Sequence, residues 1–249
     1  MKKLLIATAV AALWGTVQLQ AVESANVVGY VSTANIQAGK FYLIAQHFQD
    51  TTGGSVDLQN FITSSDMQGG TDDDNSPNLK LWDGVGYDDY YFYSEDLFGN
   101  ENCWGLGTLM ADAVPVNLAK GAFLKTINNC TISVAGQVAS ADSMNVPLSA
   151  NVFNLIANPY PIAFDINGNK VAWADALIGG TDDDNSPNMK IWDGVGYDDY
   201  YFYSEDLFGN ENCWGLGTLM ADDVVIQPGN GFWLKYTNND QNVNLTFNK

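Results

Sequence analysis

Arginine is absent from this 249-residue chain, histidine occurs once and cysteine three times. Each scarcity closes a class of function. Ten lysines against 29 acidic residues leave a formal charge of −19. Nucleic acid and anionic membrane surfaces are thereby excluded as partners, because both demand clustered cations. The single histidine, His47, has no counterpart in the duplicated part of the chain described below, so a serine or cysteine triad fails. Zinc is left without its usual ligands. Phosphate cradles fail too, since the glycine-rich stretches carry acids rather than lysines. Past residue 21 no apolar stretch approaches the roughly 20 residues of a membrane-spanning helix.

The cysteines are Cys103, Cys130 and Cys213. Cys103 and Cys213 are equivalent by repeat, whereas Cys130 corresponds to Asp240. A Cys103–Cys130 disulfide would leave Cys213 with no equivalent bond. Cys103 and Cys213 therefore read as small buried apolar residues beside a tryptophan, with an intermolecular bond through the odd cysteine as the alternative.

What is present begins with a processing segment. Lys2 and Lys3 precede an apolar run from Leu4 to about Val17, and Ala21 reads as the last residue of a cleaved signal peptide, residues 1–21. The mature chain is expected to be secreted or held at the cell surface. With 46% hydrophobic and 16% charged residues, it has the means to bury a core.

One stretch organises the rest. Gly69–Asp112 recurs as Gly179–Asp222, 110 residues later, altered only where Leu79 becomes Met189 and Leu81 becomes Ile191. Such a period marks tandem units, here 22–140 and 141–249. Short β-branched and aromatic runs bounded by turn residues predict an all-β fold, two tandem small β-sandwich or barrel-like units. Strands are expected at Val27–Ser32, Phe41–His47 and its partner Phe153–Asn158, and in a hairpin from Leu79 through Asp83-Gly84 to Tyr93. Further strands fall at Ala122–Ile127, Thr131–Val138, Phe232–Thr237 and Val243–Phe247. Gly136-Gln137-Val138 resembles Gly29-Tyr30-Val31, so the last strand of one unit looks like the first strand of a unit. Phe98–Gly107, with three glycines around Trp104, reads as a loop. One short helix per unit is predicted, from Leu58, Phe61 and Ile62 in the first and from Trp173 and Leu177 in the second.

Several of these segments carry a resemblance. The opening SANVVGYV, the F-x-L-I-A-N-P strand, W-D-G-x-G-Y, a later tryptophan and G-x-G-F-W together resemble secreted proteins of unknown function that are numerous in Verrucomicrobia-like bacteria. The segments are Ser24–Val31, Phe41–Phe48 with Phe153–Tyr160, Trp82–Tyr87 with Trp192–Tyr197, and Pro228–Leu234. The resemblance implies export and a β framework, and no catalytic residue comes with it. The first half departs from it twice: Gln46-His47 stands where the second half has Asn158-Pro159, and Lys120-Gly121-Ala122 where it has Asn230-Gly231-Phe232.

Two constellations within the block point to chemistry. Asp72, Asp74, Ser76 and Asn78 alternate ahead of Asp83, as do Asp182, Asp184, Ser186 and Asn188 ahead of Asp193. This is the ligand spacing of a calcium loop. Pro77 at the sixth position, where such loops need a positive φ, argues against the helix-flanked form, so calcium would be held in another geometry. The second is aromatic: Trp82, Tyr87, Tyr91 and Trp104, repeated as Trp192, Tyr197, Tyr201 and Trp214, beside carboxylates. Rings next to carboxylates suit stacking on sugar faces while accepting hydroxyl hydrogen bonds, although the same rings serve equally as cross-strand packing. A glycoside hydrolase would need paired carboxylates, for which Glu95, Asp96 and Glu101 are the candidates, yet two identical active sites on tandem units are an unusual design. The expectation is thus a non-enzymatic protein, binding a glycan or another extracellular protein or assembling with itself through the duplicated surface.

Overall fold

The computed structural model describes residues 28–217, 219–221, 223–236 and 241–249; the expected signal peptide lies outside them. Two all-β units follow one another. The first comprises β1 (Val28–Ile36), β2 (Phe41–Ala45), β3 (Val56–Asp57), α1 (Leu58–Phe61), β4 (Asn78–Trp82), β5 (Tyr87–Glu95), β6 (Glu101–Leu106), β7 (Leu109–Met110), β8 (Pro115–Val116), β9 (Gly121–Lys125) and β10 (Cys130–Gln137). The second repeats it as β11 (Ser143–Leu148), β12 (Asn154–Ala157), β13 (Phe164–Asp165), α2 (Trp173–Ala176), β14 (Asn188–Trp192), β15 (Tyr197–Glu205), β16 (Glu211–Leu216), β17 (Leu219–Met220), β18 (Val225–Ile226), β19 (Gly231–Lys235) and β20 (Val243–Asn248).

In each unit six antiparallel strands form a sheet, in the order β2-β9-β4-β5-β6-β7 and β12-β19-β14-β15-β16-β17. A two-stranded ribbon, β1-β10 or β11-β20, covers it together with the short helix. Although β10 shares a motif with β1, the strand that opens the second unit is β11. The core of unit 1 lies between sheet and ribbon, where Ile44, Leu79 and Leu124 meet Ile36, Ile132 and Val134, with Leu58 and Phe61 of α1 closing one end. Both predicted helices occur, each a single turn. Asp57 caps α1 through a 2.8 Å hydrogen bond from the Gln59 amide, one of the amides a helix start leaves unpaired.

The segment expected as a loop is the strand β6. Its register sets Trp104 opposite Phe92, rings 5.2 Å apart, on the core face. Gly105 belongs to the pairing rather than breaking it: a Cβ there would sit 1.9 Å from the Leu109 carbonyl oxygen, so only glycine lets β7 approach. The three cysteines are free and buried, and Cys103 adjoins Trp104 in β6.

Because side chains alternate across a strand, the other face of each sheet carries Leu43, Phe123 and Trp82 in unit 1 and Leu155, Trp233 and Trp192 in unit 2. These form a third apolar cluster joining the units. The contacts are reciprocal. Trp82 Nε1 donates to the Phe153 carbonyl at 2.9 Å, and Trp192 Nε1 to the Phe41 carbonyl at 3.0 Å. Such an exchange is the mark of a twofold, isologous interface, here made within one chain. His47 adds an unsymmetric pin. Its Nε2 accepts from the Gly229 amide at 2.7 Å, and its Nδ1 faces the Asn158 carbonyl at 2.5 Å.

Candidate functional site

The interface between the units opens to solvent as two shallow aromatic clefts of about 210 and 240 Å³. One is lined by Phe41, Lys80, Tyr87, Phe123, Trp192 and Tyr197, the other by Phe153, Lys190, Tyr197, Trp233, Trp82 and Tyr87. Position by position the two lists are twofold equivalents, with Phe123 exchanged for Trp233. Each cleft draws residues from both units, so neither exists in a single unit.

The β4–β5 register places Trp82 opposite Tyr87 and Lys80 opposite Asp89 on this face. The ring centroids of Trp82 and Tyr87 stand 5.1 Å apart, and those of Trp192 and Tyr197 4.9 Å, both edge-on. Trp82 also meets Trp233 edge-on at 5.2 Å. Tyr87 and Tyr197 form the shared lip, 39% and 40% exposed. Partial burial, reinforced by Tyr197, pushes the Tyr87 phenol up to about 12. Burial raises Tyr197 as well, opposed by the hydrogen bond its oxygen accepts from Trp233 Nε1 at 3.1 Å. Both phenols stay protonated at neutral pH and can donate. On the floor, Lys80 is paired with Asp89 and Lys190 with Asp199, while their ammonium groups lie 5.9 Å from the Tyr87 centroid and 5.8 Å from the Phe153 centroid. The result is a set of ring faces and edges with fixed donors and acceptors between them, suited to stacking and hydrogen bonding.

Four of the eight predicted aromatic ligand residues, Trp82, Tyr87, Trp192 and Tyr197, are thus brought together. The other four are not. Trp104 and Trp214 are 1% and 0% exposed, a correction to their expected place on the binding surface. Strand alternation in β6 and β16 turns them into the core. Tyr91 and Tyr201 sit further along β5 and β15, opposite Asn78 and Asn188, outside the lining of either cleft. The residues missed by sequence reasoning are Phe41, Phe123, Phe153 and Trp233. Their only local signal was a strand too apolar to be one-faced.

The acidic loops are built as turns. Asp72 caps the 3₁₀ turn Asp73–Asn75, its carboxylate accepting from the Asn75 amide at 3.1 Å and side chain at 2.8 Å, while Ser76 Oγ donates to the Asp72 carbonyl. Asp182, Asn185 and Ser186 repeat this. Asp83 and Asp193 close their hairpins by accepting from the two amides that follow, Val85 with Gly86 and Val195 with Gly196. The hydrogen bonds hold the carboxyls of Asp72, Asp83, Asp182 and Asp193 below the usual carboxylate range. Asp74 and Asp184 belong to the 3₁₀ turns themselves. Among the described residues no three His, Cys, Asp or Glu side chains gather as a metal-holding group. A metal would have to draw Asp72 away from Asn75. Millimolar calcium is accordingly expected to leave the melting temperature unchanged. A rise of several degrees, read by differential scanning fluorimetry, would show that the loops rearrange around the ion.

The far end of each sheet has a different character. Leu97, Phe98 and Leu106 are exposed, as are Leu207, Phe208 and Leu216. Beneath them the buried Asp96 carboxylate accepts from the amides of Phe98, Asn100 and Met110 and from the Asn100 side chain. The Asn100 bond, with the backbone bonds behind it, keeps Asp96 ionised far below its ordinary range. Comparison of the chain with protein-family models, with curated proteins and with solved structures gives no match.

Proposed function

We propose that this chain is an exported, non-enzymatic binding protein whose paired interface clefts take a saccharide. The observation that carries the reading is the twofold repetition of a cleft with aromatic faces, two phenol donors and a lysine–carboxylate pair. Sugars present apolar C–H faces ringed by hydroxyls, and that surface complements this lining. Two equivalent clefts on one rigid interface would hold neighbouring residues of an oligosaccharide with greater avidity than either alone.

The carboxylates considered for hydrolysis suit structural work better. Glu95 and Glu101 are exposed cross-strand partners, and Asp96 is tied into a turn as a permanent anion. None stands in the clefts. A glycan array of neutral oligosaccharides should retain the chain, and Tyr87→Ala with Tyr197→Ala should weaken that binding about tenfold or more, at roughly 1 kcal/mol per ring. Tyr→Phe at both positions keeps the rings and should cost less. If no neutral saccharide is retained at millimolar concentration, the reading fails.

A further inference from the structure

The twin clefts are not independent of one another. Tyr87 and Tyr197 line both, and each is the other's counterpart in the repeat. A ligand long enough to fill both clefts must cross this tyrosine pair, and with it the pseudo-twofold that relates the units. Its two ends then meet the same chemistry.

On one side Trp192 Nε1 donates to the Phe41 carbonyl, and the Lys125 ammonium stands 5.8 Å from the Phe41 ring centroid. On the other side Trp82 Nε1 donates to the Phe153 carbonyl, and the Lys235 ammonium stands 5.6 Å from the Phe153 centroid. The ion pairs Lys80–Asp89 and Lys190–Asp199 repeat as well. The one departure in the lining is Phe123 against Trp233, an exchange of flat rings that keeps a stacking surface on both sides.

This symmetry constrains the saccharide. Each cleft, at about 210 and 240 Å³, has room for one pyranose ring. A head-to-tail disaccharide has a direction. If its non-reducing ring suits one cleft, its second ring enters the equivalent cleft reversed and turns different hydroxyls toward the same donors. A disaccharide of two like rings, joined through both anomeric carbons in the same anomeric form, has a twofold axis through its glycosidic oxygen. Both of its rings can make one set of contacts, and the difference between the two ligands is specificity.

We propose that the paired clefts are a single site for a twofold-symmetric, non-reducing disaccharide of the trehalose type. The glycosidic oxygen lies over Tyr87 and Tyr197, with one ring in each cleft. The inference rests on the saccharide reading above and narrows it to one ligand class.

Isothermal titration of the full chain with α,α-trehalose should give binding. Two further probes isolate the role of symmetry. The α,β anomer has the same rings and the same linkage atoms without the twofold axis, and maltose joins the rings head to tail. Each leaves one ring short of about one hydrogen bond and should bind roughly fivefold to tenfold more weakly. Tyr87→Ala and Tyr197→Ala, made singly, should weaken α,α-trehalose by similar factors, because each tyrosine stands at the same place beside one half of the ligand. Thermal unfolding of both variants shows that the fold persists. An unsymmetric disaccharide that binds as tightly as α,α-trehalose would overturn the proposal and leave the saccharide reading in place. Loss of α,α-trehalose binding in one tyrosine variant alone would overturn the symmetric placement. Binding of no disaccharide at millimolar concentration would remove both the proposal and the reading beneath it.

Discussion

Trp214→Ala is expected to destabilise the second unit by about 3–5 kcal/mol, the range for deleting a large buried ring. Trp214 is fully buried, and its ring packs on Trp173 of α2 at 5.1 Å and on Phe202 at 5.2 Å. Removing it uncovers both. In unit 1 the same block meets a different helix: α1 offers Leu58 and Phe61 where α2 offers Trp173. Trp104→Ala should therefore cost less than Trp214→Ala, although the flanking block sequence is the same. The indole nitrogens of Trp104 and Trp214 are buried without a hydrogen-bond partner among the described residues. Trp→Phe forfeits volume but no bond, and should cost less than half of Trp→Ala at either site. Differential scanning calorimetry of the four variants decides this. Equal losses for Trp104→Ala and Trp214→Ala would mean that the helices contribute nothing to the difference. A Trp→Phe cost equal to Trp→Ala would mean that the nitrogen is partnered after all.

These tryptophans also show where sequence reasoning stops. The hairpin through Asp83-Gly84 and both single-turn helices are legible because their signals are local: an Asp-Gly pair at the bend and apolar residues at helical spacing. The strand β6 is not, since glycine and asparagine around Trp104 mimic an exposed loop. The reason for Gly105 is the approach of Leu109, a contact invisible in the run of residues itself. The alternating acids are legible as a spacing and not as a geometry. Caps and Asx turns place carboxylates at the spacing that calcium loops also use, and the hydrogen bonds of Asp72 and Asp83, which only the structure shows, make them caps and turns. The cleft residues Trp82, Tyr87, Trp192 and Tyr197 were legible as aromatics beside carboxylates. Their partners Phe41, Phe123, Phe153 and Trp233 belong to framework strands and reach each site partly from the opposite unit. No periodicity within one unit reports what lies across an interface.

Between pH 6.5 and 4 the chain is expected to lose about 3 kcal/mol of stability through His47 alone. The Gly229 amide can only donate, so Nε2 must stay unprotonated and the proton sits on Nδ1, facing the Asn158 carbonyl. Burial pushes the imidazole down to about 4, against the pull of that carbonyl toward the protonated form. In the unfolded chain His47 titrates near 6.5, so the unfolded state binds more protons throughout this window and stability falls as pH falls. Above about 6.5 both states are neutral and the contribution is complete; below about 4 both are protonated and the loss is finished. The carboxylates act in a later window. Asp72, Asp83, Asp96 and their repeats are held below their ordinary range, so their share is present above about pH 4 and lost only beneath it. Two steps should therefore appear in stability against pH, and they are separable by mutation. His47→Gln removes the titrating ring while offering an acceptor to Gly229. It should flatten the upper step, leave the lower one in place, and be less stable than wild type at pH 7. Urea unfolding at pH 7, 5.5, 4.5 and 3 measures both steps. An upper step that survives in His47→Gln would place the titration elsewhere, and with it the claim that one histidine pins the two units together.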